Sequence, residues 1–144
     1  MGFAMIFLII AGEIDLSIAS ILALSSAMLG YSYAQGAPIW LAILIAMLVG
    51  TACGFVNGFL VTKLGLGSLA VTIGGLALYR GIANGILGEN TINEFPEAAT
   101  AFGFDTIGTT FIPQTLPVII LFGLFFAFLL HNTPFGRRTL AIGQ

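Results

Sequence analysis

The residues best able to do chemistry sit together in Gly12-Glu13-Ile14-Asp15-Leu16-Ser17. Their two carboxylates are the only charges between Met1 and Ala34. An ionised Asp or Glu at the centre of a bilayer costs at least ~2.5 kcal/mol. Both side chains must therefore avoid lipid, either where the chain leaves the membrane or where it lines a protected polar cavity. Gly12 before them and Ser17 after them suit a helix stop and a fresh N-cap, with acidic groups favoured beside the new N-terminus. The segment reads as helix, break, helix, with the break facing protein or water.

Paired carboxylates also suggest hydrolysis, but on a continuous helix residues two apart point in different directions, and nothing else in the chain would recognise a substrate for it. There is no G-x-x-x-x-G-K-[ST] loop, no H-E-x-x-H and no G-x-S-x-G elbow. No catalytic residue is expected. His131 and Cys53 are single occurrences, so a metal site built on them is not expected either. His131 reads as a solvated residue at a helix end. Cys53 reads as a small residue at a helix contact, with no partner for a disulfide in this chain. Four basic residues, without a basic run or a recognition motif, leave nothing for nucleic acid. Transport or a structural membrane role remains.

The elements that must position these residues follow from composition. Of 144 residues 58% are hydrophobic and 7% charged, and the mean hydropathy is +1.10. Soluble domains carry about 25% charged residues. Long uncharged runs between short polar stretches are membrane helices, and they are about twice the length of barrel strands without the required alternation. The expected fold is all-α, a polytopic transmembrane bundle with broken or irregular helices. It comprises about four full spans plus an N-terminal half-span, in a single domain over 1–144.

The half-span is Met1 to Ala11, whose uncharged start gives no basic region for a cleavable signal peptide. A run from Leu16 to Ala34 closes on Tyr31 and Tyr33, an interfacial aromatic pair. After the turn Gln35-Gly36-Ala37-Pro38, a helix is predicted over Ile39 to Thr62, starting near Trp40 and stopping at Lys63. Within it Gly50, Gly54 and Gly58 recur every four residues, a small-xxx-small pattern that lets helix backbones approach closely. Asn57 lies beside that stripe. Ser68 is placed to cap a run from Leu69 to Leu87. The run, with the residue that follows it, holds Thr72, Gly74, Gly75, Arg80, Gly81, Asn84, Gly85 and Gly88 and is expected to be irregular or broken. Arg80 has three places to go: against a carboxylate, into a water-filled space, or snorkelling to an interface. An acidic loop over 89–112 carries Glu89, Glu94, Glu97 and Asp105 and no basic residue. A Phe-rich run from Pro113 to Leu130 precedes Arg137 and Arg138. Basic residues mark the cytoplasmic side, which puts Lys63 and the Arg137-Arg138 pair inside, the acidic loop and the 35–38 turn outside, and the 12–17 break toward the inner half of the membrane.

Gly12-Glu13-Ile14-Asp15-Leu16-Ser17-Ile18-Ala19-Ser20-Ile21-Leu22-Ala23-Leu24 resembles the G-G-I-D-L-S-V-G-S signature of sugar-type ABC-importer permeases, the ribose, rhamnose and autoinducer-2 kind. Gly54-Phe55-Val56-Asn57-Gly58, Val71-Thr72-Ile73-Gly74-Gly75 with Tyr79-Arg80-Gly81, and Pro134-Phe135-Gly136-Arg137-Arg138 with Ala141-Ile142-Gly143 are similar to further blocks of that family, in order. Glu13 and the Phe95-Pro96 and Phe102-Gly103 pairs resemble the rhamnose-type members. The resemblance implies a monosaccharide permease of the bacterial inner membrane, with rhamnose or a related deoxyhexose or pentose favoured. It would work with a second permease subunit, a cytoplasmic ABC ATPase that carries the ATP and magnesium, and a periplasmic sugar-binding protein. No cofactor is expected on this chain. Glu13, Asp15, Ser17, Asn57, Thr72 and Arg80 are then the candidates for lining or bracing the translocation path. Family members run to roughly twice this length, so the chain is expected to be a permease domain incomplete at both ends, unable to transport by itself. Two other classes remain open: an ion-coupled carrier or channel with Asp15 and Arg80 as its coupling pair, and an inactive truncated permease.

Overall fold

The computed structural model describes residues 2–88, 92, 95–106 and 111–142. Among them the chain forms seven α-helices: α1 (Gly2–Ile10), α2 (Ile18–Ala34), α3 (Ile39–Thr62), α4 (Ser68–Leu87), α5 (Glu97–Phe104), α6 (Leu116–Asn132) and α7 (Pro134–Ile142). The all-α polytopic bundle is therefore the fold that forms. It divides into two compact units, residues 14–94, and residues 1–13 with 95–144.

In the 14–94 unit α2 packs against both α3 and α4. The buried faces are built from small and polar residues. They are Ser20, Ala27 and Gly30 on α2, Ala42, Ala46, Cys53 and Asn57 on α3, and Thr72, Gly75, Tyr79 and Ala83 on α4. Large apolar side chains point outward, among them Met47 and Phe55, 69% and 72% exposed. A water-soluble bundle would reverse this pattern. In lipid, greasy side chains gain nothing by turning inward, so helices associate through small residues that permit close contact. Ile21 and Leu24 complete the core with Cys53, Tyr79 and Ala83, flanked by Met28, Val49 and Ile86.

The turn between α2 and α3 depends on Gly36 at φ +90°. Its N–H bonds the Tyr33 carbonyl at 2.9 Å and the Ala37 N–H bonds that of Ser32 at 3.1 Å, which closes the helix in a Schellman arrangement. α3 occupies the predicted span, Ile39–Thr62.

Two local expectations are corrected in α4. The glycine-rich run is one continuous helix of 20 residues, neither irregular nor broken. Glycine lowers helix propensity but keeps its N–H, so it leaves the ladder intact where proline would not. Ser68 is the first helical residue; Gly67 is the N-cap, with φ −60° and ψ 129°. The Ser68 carbonyl accepts a bond from the Thr72 hydroxyl at 2.8 Å.

In the other unit α1 ends as expected at Gly12, φ +78°. The Gly12 N–H bonds Ile9 at 3.0 Å and the Glu13 N–H bonds Leu8 at 2.9 Å, a second Schellman closure. Phe3 and Phe7 of α1 meet Phe126 of α6 with ring centroids 6.2 and 5.8 Å apart, and Phe7 also reaches Phe135 of α7 at 5.7 Å. The predicted run from Pro113 to Leu130 begins later and runs further, as α6, because Pro113 pairs with Thr106 in an isolated bridge. α6 and α7 bend by 74° across Thr133. Gly136 makes the bend possible, since a Cβ there would overlap the Leu130 carbonyl. The acidic loop contains a short helix, α5, that composition did not disclose. Glu89 and Glu94 lie outside the described residues, and Asp105 is exposed.

Of the four expected spans, α3 and α4 are each long and apolar enough to cross a membrane. α6 with α7 meets the same criterion as a bent pair, and α2 is an apolar helix of 17 residues.

Candidate functional site

The 14–94 unit gathers four of the six candidate polar residues at the start of α2. Ser17 takes the N-cap position, but its hydroxyl does not cap the helix. It donates to Asp15 Oδ1 at 2.6 Å, and the Ser17 N–H donates to the same oxygen at 2.8 Å. The Ser17 hydroxyl has one proton. With that proton committed to the carboxylate, its oxygen accepts from Asn57 Nδ2 at 2.7 Å. Asn57 Oδ1 in turn accepts from the Tyr79 hydroxyl at 2.8 Å. The Cys53 carbonyl lies 3.3 Å from the same phenol oxygen, a longer alternative for its single proton.

The result is a one-way chain, Tyr79 to Asn57 to Ser17 to Asp15, in which every donor points toward the carboxylate. It joins the break to α3 across 40 residues of sequence and α3 to α4 across 22. Ser17 is fully buried, and Asn57 and Tyr79 are each 6% exposed. An amide or phenol so placed must find partners, because a buried polar group left unpaired costs about 1–3 kcal/mol. Here all of them do.

Gly75 leaves the space in which Asn57 and Tyr79 meet. A Cβ on it would stand 3.1 Å from the Tyr79 ring and 3.3 Å from Asn57 Oδ1. Thr72 is buried beside them. Its hydroxyl donates chiefly to the Ser68 carbonyl, and the Ile14 carbonyl lies at 3.4 Å, a longer contact from α4 to the break. The Ser20 hydroxyl donates to the Ser17 carbonyl at 2.7 Å and secures the first turn of α2.

Asp15 uses only one oxygen in this chain. Oδ2 has no bonding partner among the described residues, and Asp15 as a whole is half-buried. Glu13 and Arg80 are exposed and stand outside the chain of bonds. Among the described residues Arg80 forms no ion pair, with Asp15 or any other acid. Of the glycine stripe, Gly50 faces α2, where a Cβ would come within 2.9 Å of Ser25 Oγ; Gly54 and Gly58 meet nothing within 4 Å. Steps of four residues drift about 40° around a helix of 3.6 residues per turn, which carries the later glycines off the α2 face. No group of three or more His, Cys, Asp or Glu residues comes together among the described residues.

Residues 1–144 match the family described as "Branched-chain amino acid transport system / permease component". The chain belongs to this permease family. Its relatives include the autoinducer 2 import system permease protein LsrD of Klebsiella pneumoniae, 38% identical over 142 residues, covering 94% of this chain and 42% of the relative. The LsrD proteins of Yersinia enterocolitica and Enterobacter sp. are 34% and 37% identical, again over 94% of this chain and 42% and 43% of theirs. The permease chain thus spans less than half the length of these relatives. No solved structure matches it significantly.

The sequence pointed to Asp15, Ser17, Asn57 and Thr72 but not to Tyr79 or Gly75 as members of this polar cluster. A signal was present. Thr72, Gly75, Tyr79 and Ala83 recur every three or four residues, which marks one helix face, and a tyrosine in mid-span needs a partner for its hydroxyl.

Proposed function

We propose that this chain forms part of the transmembrane permease subunit of an ATP-driven importer for a small sugar-type solute in the bacterial inner membrane. The observation that carries the reading is the family match over residues 1–144, with import-system permeases aligned along 94% of the chain. Two solutes are candidates. Autoinducer-2 is the one that the relatives' names carry, and rhamnose, with related deoxyhexoses and pentoses, is the one that the Glu13 variant of the signature favours. Both units belong to one permease domain in this reading. Lys63, Arg137 and Arg138 face the cytoplasm, and the 89–112 loop faces the periplasm, where it meets a binding protein. A second permease subunit completes the path, and a separate ABC ATPase hydrolyses ATP with magnesium. The buried polar chain braces the helices beside the path. A gradient-driven carrier built on an Asp15–Arg80 pair has less support, because Arg80 forms no such pair among the described residues.

The test uses the complete gene product reconstituted in proteoliposomes with its ATPase and binding protein. Uptake of labelled autoinducer-2 or L-rhamnose that requires ATP and survives collapse of the proton and sodium gradients is the expected result. Uptake that stops with the gradient and persists without ATP would establish the carrier instead.

A further inference from the structure

The break before α2 holds a carboxylate with one oxygen saturated and the other open. Oδ1 of Asp15 takes both bonds from Ser17, while Oδ2 has no partner among the described residues. A carboxylate oxygen at membrane depth needs water or a hydrogen-bond donor. Its backbone surroundings are also unusual. Residues 13–17 are not helical, and non-helical backbone within a membrane occurs where it is buried in protein or lines an aqueous cavity. Unwound backbone at membrane depth forms part of the solute sites of many transporters. The polar chain behind Asp15 spends four groups on three elements to hold one carboxylate oxygen, and it leaves the other oxygen in a fixed direction. No cation answers it: Arg80 is exposed and makes no ion pair among the described residues.

We propose that Asp15 offers Oδ2 as a hydrogen-bond acceptor to a hydroxyl of the transported solute, and that Tyr79 is the positioning residue that fixes this orientation through Asn57 and Ser17. The ligand chemistry is a neutral polyhydroxylated molecule, whose hydroxyls donate to carboxylates and carry no charge to be expelled. The inference rests on the permease reading and adds the group that meets the solute and the residue that aims it. Tyr79 acts without touching the solute. Its phenol donates to Asn57 Oδ1, which turns the amide so that Nδ2 faces Ser17, and Ser17 must then give its own proton to Asp15.

The experiment measures uptake of L-rhamnose and of autoinducer-2 by the complete permease with its ATPase and binding protein, comparing wild type with Asp15→Asn, Tyr79→Phe and the double variant. Asp15→Asn keeps the side chain's size and exchanges one acceptor for a donor. It is expected to lower uptake roughly tenfold or more, as loss of a charge-assisted bond does, in complexes that still assemble by gel filtration. Tyr79→Phe removes one hydroxyl and is expected to lower uptake about threefold in wild type and hardly at all in the Asp15→Asn background, the non-additivity of residues acting through one chain. A merely structural tyrosine would cost the same in both backgrounds. Wild-type uptake by Asp15→Asn, or an undiminished Tyr79→Phe effect without the carboxylate, overturns the proposal. Should Asp15→Asn not assemble, Asp15→Glu decides, since it keeps the charge and displaces the oxygens by a methylene: reduced uptake by the assembled variant supports the proposal and unchanged uptake overturns it. If the wild-type complex imports neither solute, the permease reading fails first, before any variant is compared.

Discussion

Asn57 is the one side chain in the polar chain that must both accept and donate between helices. Replacing it with Leu keeps the forked shape, though not the volume, and leaves the Tyr79 hydroxyl without its nearest acceptor and Ser17 without a donor. We expect a loss of about 1–3 kcal/mol, read as a lower melting temperature of the full-length protein in detergent. Asn57→Asp tests the direction of the chain. It keeps an acceptor for Tyr79 but sets a second acceptor against Ser17, whose only proton already goes to Asp15, and so is expected to destabilise by a comparable amount at neutral pH. Gly75→Ala should act on the same bonds without removing a polar atom. Its Cβ would press on the Tyr79 ring from 3.1 Å, and an overpacked site of this kind costs about 1–3 kcal/mol. Gly54→Ala is the counterpart. With nothing within 4 Å of its Cβ, it should leave the stability of the 14–94 unit unchanged or raise it by up to ~1 kcal/mol through helix propensity. At this scale the sequence disclosed Asp15, Ser17, Asn57 and Thr72 but neither Tyr79 nor Gly75. Asp15 and Ser17 stood out because charge and hydroxyl are conspicuous among aliphatics. Tyr79 did not, because its role depends on which amide, 22 positions earlier, ends up opposite it.

Among the elements, the bend between α6 and α7 is the most exposed to a single substitution. Gly136 sits where a side chain would collide with the Leu130 carbonyl, while its N–H lies 3.3 Å from Thr133 Oγ1. Gly136→Ala must open the 74° angle or unwind the start of α7. Distances between spin labels on α6 and α7 are expected to lengthen in that variant, and an unchanged distance distribution would show that the bend does not depend on the glycine. The long apolar runs, the helix stop at Gly12 and the turn at Gly36 could be read in advance, because length, hydropathy and glycine carry their own physics. The continuity of α4 could not. Its glycines suggested weakness, and only the packing of Gly75 against Asn57 and Tyr79 shows why a flexible residue there costs the helix little.

For the whole molecule, membrane residence was plain from a chain with 7% charge, and small residues inside with large ones outside are what that solvent demands. The division into two units was not legible. It depends on α1 finding Phe126 and Phe135 more than a hundred positions away, a pairing that no local pattern announces. Phe126→Ala removes the ring that both Phe3 and Phe7 contact. It is expected to loosen α1 from α6, seen as faster amide exchange over 2–10 while exchange over 18–34 stays as before.

The one-way polarity of the chain from Tyr79 to Asp15 has a consequence for descent. Each link fixes which atom of the next residue is free, so a lone substitution strands its neighbours, and drift can pass through these positions only in concert. A lineage that replaces Tyr79 with phenylalanine loses the reason to keep an amide at 57, and with it the constraint that orients Ser17. Related permeases should therefore divide into those that carry the whole relay and those that have discarded it, with few caught between.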